Sequence, residues 1–253
     1  KALEESRKIV PGSTPTAAEA AAPAGSAEFS GLQRVAQTQR PSEYAGIARA
    51  NEGARKSAIG TVAKDVPALG AAITKRGDEA AAKYGEAFKQ AVKSDDGLAA
   101  LIQRPSMAKI LPRAADLAKE KGATSIKGDE YPVESLHYMK MAMDDLIKNP
   151  ERFGIGAAEA NAIRETQKQF VAWVGGKSNA YDAARTSYAA ASGPINRMQV
   201  GQELESKLTN SLGNAERPTV FANAVANAPQ TIKRATGNPR YDRIEQILTE
   251  KEM

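Results

Sequence analysis

Alanine sets the terms for this chain, occupying 48 of its 253 positions. It is the best intrinsic helix former, because its methyl side chain loses no rotamer freedom on folding. Helices faced with alanine approach one another closely, yet each residue removes little apolar area, at about 25 cal/mol for each Å² buried. Larger apolar residues are correspondingly scarce: leucine, isoleucine, valine and phenylalanine together number 43, about 17%. A share that low accompanies disorder when net charge is high, but the formal charge here is only +5. Helix is therefore the default state. The sequence predicts an all-α fold, an extended multi-helix array of unequal helices whose modest core leans on neighbouring chains.

Cysteine is absent, which excludes disulfides, thiolate metal sites and a cysteine nucleophile. No apolar run approaches the roughly 20 residues of a membrane-spanning helix. The sequence pI is about 9.3, but basic and acidic residues are mixed and no run of four Lys/Arg occurs. Weak attraction to nucleic acid is allowed by this balance without being indicated by it. The opening KALEESRKIV reads as a helix already under way, so the sequence is expected to be a piece of a longer polypeptide.

Helix boundaries are marked by proline, glycine and capping residues. Thr14-Pro15 starts a short helix, Pro23-Ala24-Gly25 interrupts, and Ser26 caps a second that is expected to bury Phe29, Leu32 and Val35. A further start lies at Pro41-Ser42. Apolar residues at Ile59, Val62, Val66, Leu69 and Ile73, continuing through Ala80, Tyr84, Phe88 and Val92, alternate three and four apart and predict one long helix bent at Pro67. Two shorter helices between Leu98 and Lys121 are punctuated by Pro105 and Pro112.

The segment 121–132 is a loop, with a tiny hairpin around Ser125-Ile126-Lys127 as the alternative. It divides an N-terminal helical half, 1–120, from a C-terminal one, 133–253. In the second half SLHYMKMAMDDLIKN is helical to Pro150, helix restarts at Ala157, and Gly175-Gly176 stops it. Ser178 caps another helix with a seam of Tyr181, Ala184, Tyr188, Ala191, Ile195 and Met198, extended by Leu204, Leu208 and Leu212. That seam crosses Gly193-Pro194 in phase, which fits either a kinked continuous helix or two helices. Short helices follow at 218–227, 229–235 and 240–252.

Candidate chemistry is sparse. The single histidine, His137, shares a helix face with Lys140 and Asp144 at spacings of three and four. General-base work would need a nucleophile within hydrogen-bond reach, and the pattern reads instead as a solvated helix face. Asp95-Asp96 and Asp144-Asp145 are adjacent pairs that splay about 100° apart on a helix, and the first pair reads as a helix terminus. No phosphate-cradling glycine motif occurs. No catalytic, cofactor-binding or metal-binding residue is assigned. Arg49, Arg55, Lys56 and Lys64, and later Lys233, Arg234, Arg240 and Arg243, are interleaved with acids and read as solvated surface.

One resemblance sharpens this. The order VPGSTPTAAEAAAPAGSAEFSGLQRVAQTQ, YAGIARANEGARKSAI, a long helix, LIQRPSMAKILPRAADLAKEKG and SLHYMKMAMDDLI resembles a module in the large internal virion proteins of short-tailed bacteriophages and prophages, the ejection or DNA-transfer proteins. The positions that carry it are Pro11, Gly12, Pro15 and Thr16, then Gly31-Leu32 with Arg34, then Asn51 with Ala54-Arg55. Further on they are Arg104-Pro105-Ser106, and Leu136-His137-Tyr138 with Lys140 and Asp144-Asp145. The resemblance spans roughly 10–190 and departs from the family where alanine crowds 17–24 in place of a Gly/Asp turn. It implies a non-enzymatic helical segment without cofactors, stored inside the capsid and then active in the host periplasm and cell envelope. Its partners would be other copies of itself, other virion proteins and the host envelope, with weak contact to phage DNA. A peptidoglycan-cleaving domain, where relatives have one, would lie outside these residues. The alternatives are a nucleic-acid-binding module lining the genome path and a tape-measure or scaffold segment.

Overall fold

A computed structural model describes residues 10, 12–22, 26–123, 126, 128–209, 217–238 and 241–249. The fold is all-α apart from one two-stranded antiparallel sheet. The chain forms two compact units, one of residues 1–69 with 196–253, the other of 70–195. The expected dividing loop at 121–132 lies inside the second unit.

Among the described residues the first helix of the first unit is α1 (Ala17–Ala21), where Thr16 and Glu19 form a reciprocal capping box. Two such bonds satisfy backbone donors that a five-residue helix would otherwise leave bare. Then come α2 (Ala27–Gln39), capped by Ser26, and α3 (Pro41–Ala63). The later part of the unit holds the end of a long helix running to Leu208, then α10 (Pro218–Ala226), α11 (Ala228–Thr236) and a short 3-10 turn at Ile244–Gln246. Its core is Val62, Val200, Leu204, Ala228, Ile232, Ile244, Ile247 and Leu248. The end of α3 lies directly on Gly201, where a Cβ would come within 2.6 Å of the Ala63 nitrogen.

Two expectations fail here. No residue of α2 is buried: Leu32 is 41% exposed and Val35 51%. Steps of three residues fall about 60° short of a full turn each, so Phe29, Leu32 and Val35 fan over a broad arc rather than one stripe. The long helix bent at Pro67 is two helices. The first ends at Ala63, Lys64 leaves it at φ 52°, and α4 (Val66–Phe88) begins afresh. Asp65 supplies the start by accepting from the Ala68 amide at 2.7 Å, and Pro67 sits in the first turn, where its missing N–H costs nothing.

The second unit contains most of α4, then β1 (Ala91–Lys93), α5 (Asp96–Ile102), α6 (Met107–Lys121), β2 (Glu130–Pro132), α7 (Val133–Lys148), a 3-10 turn at Pro150–Phe153, α8 (Ala157–Lys177) and the first half of α9 (Asn179–Leu208). The strands pair with Val92 opposite Tyr131. Val92 is therefore a strand residue, not the tail of a helix, and the extended segment falls after the 125–127 stretch, of which 125 and 127 lie outside the described residues. The strand β2 pairs with β1, more than thirty residues upstream, and the hairpin alternative around 125–127 lies largely outside the described residues.

Around α7 the scarce large residues are concentrated. Val133, Leu136, Met139, Ala142, Met143 and Leu146 are buried along it, packed with Leu98, Met107, Ile110, Ile163, Phe170, Val174 and Tyr181. Of the remaining alternatives, α9 passes through Gly193-Pro194 as one continuous helix. Gly175-Gly176 does not stop α8, which runs on to Lys177. Tyr188 sits off the buried seam, 41% exposed. The helix expected at 240–252 is the 3-10 turn among the described residues. Leu212 and the opening helix through residue 9 lie outside them.

Candidate functional site

His137 is the residue the sequence nominates, and the structure moves it off the solvated face expected for it. Tyr84 and Phe88 from α4 and Tyr181 from α9 converge on its ring, with centroids 4.7, 5.2 and 5.9 Å away. Its Nδ1 lies 3.3 Å from the Tyr181 hydroxyl. Tyr84 and Phe88 read in the sequence as one helix seam and Tyr181 as another, so nothing local announces that the two meet at His137.

Burial pushes His137 from an ordinary 6.5 down to about 4, and the Lys140 charge adds to that against an opposing pull from Asp144. The imidazole is neutral at pH 7. Burial likewise raises the Tyr84 and Tyr181 hydroxyls. A neutral imidazole and a neutral phenol in an aromatic pocket can exchange one hydrogen bond and fill space. Neither is poised to take a proton near neutrality.

The other nominated residues are fasteners. Lys140 pairs with Asp144, whose Oδ1 accepts from Gln167 of α8 at 2.9 Å. Asp145 turns the other way to Arg113 of α6 at 3.0 Å, as the splay of neighbouring helix residues requires. Asp95 caps α5 at the Leu98 amide, accepts from Trp173 Nε1 at 2.8 Å and pairs with Lys177 at 2.8 Å. The Lys177 bond, then the Leu98 amide, hold its carboxyl down at about 2. This is the helix terminus expected at Asp95-Asp96. Among the described residues no group of three His, Asp or Glu side chains gathers to hold a metal, and no helix is long and apolar enough to cross a membrane.

Two sets of hydrogen bonds have no counterpart in the sequence reading. Asn51, buried in the middle of α3, accepts from the Thr14 amide and donates to the Thr14 carbonyl, both at 2.7 Å. It clamps the segment ahead of α1, where a Cβ on Gly12 would lie in ordinary contact, 3.8 Å, with the Ala54 Cβ. Arg104 donates to Thr166 at 3.3 Å and reaches Gln169, while Ser106 shares a hydrogen bond with Thr166 at 2.9 Å. An asparagine in mid-helix is the signal that points to the first, since it is a poor helix former there and buried amides need partners.

Two of the basic positions noted from the sequence lie against carboxylates. Lys56 pairs with Glu52, and Arg234 lies 3.6 Å from Glu203. Lys64 and Lys233 are exposed, and Arg240 lies outside the described residues. Comparison with protein-family models, with curated protein sequences and with solved structures found no match to this chain.

Proposed function

We propose that this chain is a non-enzymatic helical segment of a short-tailed-phage internal virion protein, which helps build the conduit that carries the genome across the host envelope. One observation carries the reading: several of the residues in which the sequence resembles that family fasten its helices together. Gly12, Asn51 and Ala54 meet at the Thr14 clamp. Arg104 and Ser106 tie the start of α6 to α8. Asp144, paired with Lys140 within α7, ties that helix to α8 through Gln167. Residues shared for chemistry would converge on a cleft; these are distributed along the chain as joints.

Exposed apolar side chains on α2 and α4, Leu32, Val35, Val66 and Ile73, support a role beside companion chains. So does the want of a poised acid or base around His137. The partners are further copies and other virion proteins, first inside the capsid and then in the host envelope, and no cofactor is needed. Negative-stain imaging and analytical ultracentrifugation of the purified chain, alone and with the other internal virion proteins, test this. Rings, tubes or mixed complexes are expected. A chain that stays monomeric and fully folded in every mixture removes the proposal's footing.

A further inference from the structure

Arg76 and Lys83 on α4 are cations held by neutral partners. Arg76 Nη1 donates to the Ser192 hydroxyl at 3.0 Å, and Lys83 Nζ to the Ser187 hydroxyl at 2.7 Å, both serines on α9. The Arg76 guanidinium also lies over the Tyr188 ring, 4.7 Å from its centroid, and that ring is 41% exposed. The neighbouring carboxylates are engaged elsewhere: Glu79 with Lys75 at 3.9 Å, Glu86 with Lys89 at 2.6 Å and Asp182 with Arg185 at 2.9 Å. Asp78 stands two residues from Arg76, about 200° round the helix. Two positive charges, seven residues and hence about 10 Å apart along one helix, are thus oriented without being neutralised, with the Ser187 hydroxyl and an aromatic ring alongside; the Ser192 hydroxyl donates instead to the Tyr188 carbonyl.

The geometry points to this ridge as a binding surface for a single-stranded nucleic acid. Arg, Lys and Ser are the side chains that grip phosphate oxygens, and an exposed ring beside them offers a base a face to stack on. An acidic peptide would satisfy the charges but leave Tyr188 unused. Two separated cations suit a polymer of repeating charge better than a single small anion, which could reach only one of them. The inference is independent of the virion reading.

Fluorescence anisotropy of the full chain with a labelled oligothymidylate, longer than the roughly 4–16 nucleotides one site covers, tests it across a salt series. Lys83→Gln, at an exposed position, is expected to weaken binding several-fold. Arg76→Gln with Lys83→Gln should weaken it at least tenfold and lower the log–log salt slope by about 1.4, roughly 0.7 for each phosphate no longer neutralised on a single strand. Tyr188→Ala is expected to weaken binding with the slope kept. Lys89→Gln, which removes a cation already paired, should change nothing. Circular dichroism of each variant confirms the helices remain. Binding that is absent at low salt, unmoved by the double substitution, or equally reduced by Lys89→Gln overturns the proposal. Competition by poly-glutamate as effective as by DNA also overturns it, in favour of an acidic protein partner.

Discussion

His137 shows how a residue's environment reverses its apparent character. Its folded pKa of about 4 lies below the ordinary 6.5, so between those values the unfolded chain binds a proton that the folded one refuses. Stability is therefore complete above pH 6.5, declines as pH falls toward 4, and is level below that, with about 3 kcal/mol at stake. Urea titrations at pH 7.5 and pH 4 should show this loss, and His137→Phe, which keeps an aromatic ring in the cluster, should abolish that part of the pH dependence. Asp95 adds a separate acid-labile contribution, present above its ordinary 3.8 and lost as pH falls toward about 2. Asn51 is simpler. Replacing it with alanine strands both backbone groups of Thr14 and should cost about 2 kcal/mol, with limited proteolysis now cutting within 12–22. The sequence singles out His137 because histidine is unique here, yet cannot reveal its surroundings, since Tyr84, Phe88 and Tyr181 come from elements far apart in the chain.

Helix starts are readable because their causes are local: Ser26, Asp95 and Ser178 accept from amides three residues on, and Pro41 fits the first helical turn. Stops and breaks are less so. The apolar rhythm from Ile59 to Val92 stays in phase through Lys64-Asp65, and although Pro67 and Asp65 mark a fresh start there, the residue on which the end of α3 packs, Gly201, lies far away in sequence. The β1–β2 pairing escapes for the same reason, three-residue strands carrying too little pattern to announce a distant partner. The junction makes two opposed predictions. Lys64 holds φ 52° with extended ψ, a region that favours glycine, so Lys64→Gly should stabilise by about 1 kcal/mol. Gly201→Ala puts a methyl group into backbone 2.6 Å away and should destabilise by about 3 kcal/mol, since neither helix end can yield cheaply. Thermal melts followed by circular dichroism in the far-ultraviolet helix band measure both.

For the whole molecule, the expectation of a thin alanine-surfaced core holds unevenly, and composition cannot show why. A count of large apolar residues averages over the chain, whereas folding gathers them: α7 alone buries Val133, Leu136, Met139, Met143 and Leu146, while α2 buries nothing. Cooperative stability follows buried apolar area rather than helix content. Alanine and capping residues are enough to make α2 helical, but a helix of that length without packing is marginal in water. Native-state amide exchange should therefore grade the helices by what they bury. The α7 amides should exchange only through global opening of their unit, and those of α2 by local opening at a free energy near zero. Mixing with a companion that covers Leu32 and Val35 should slow α2 selectively and leave α7 unchanged. If α2 proves as protected as α7 in the isolated chain, the premise that its apolar side chains await another surface is wrong, because protection of that order needs burial which its own neighbours would then have to supply.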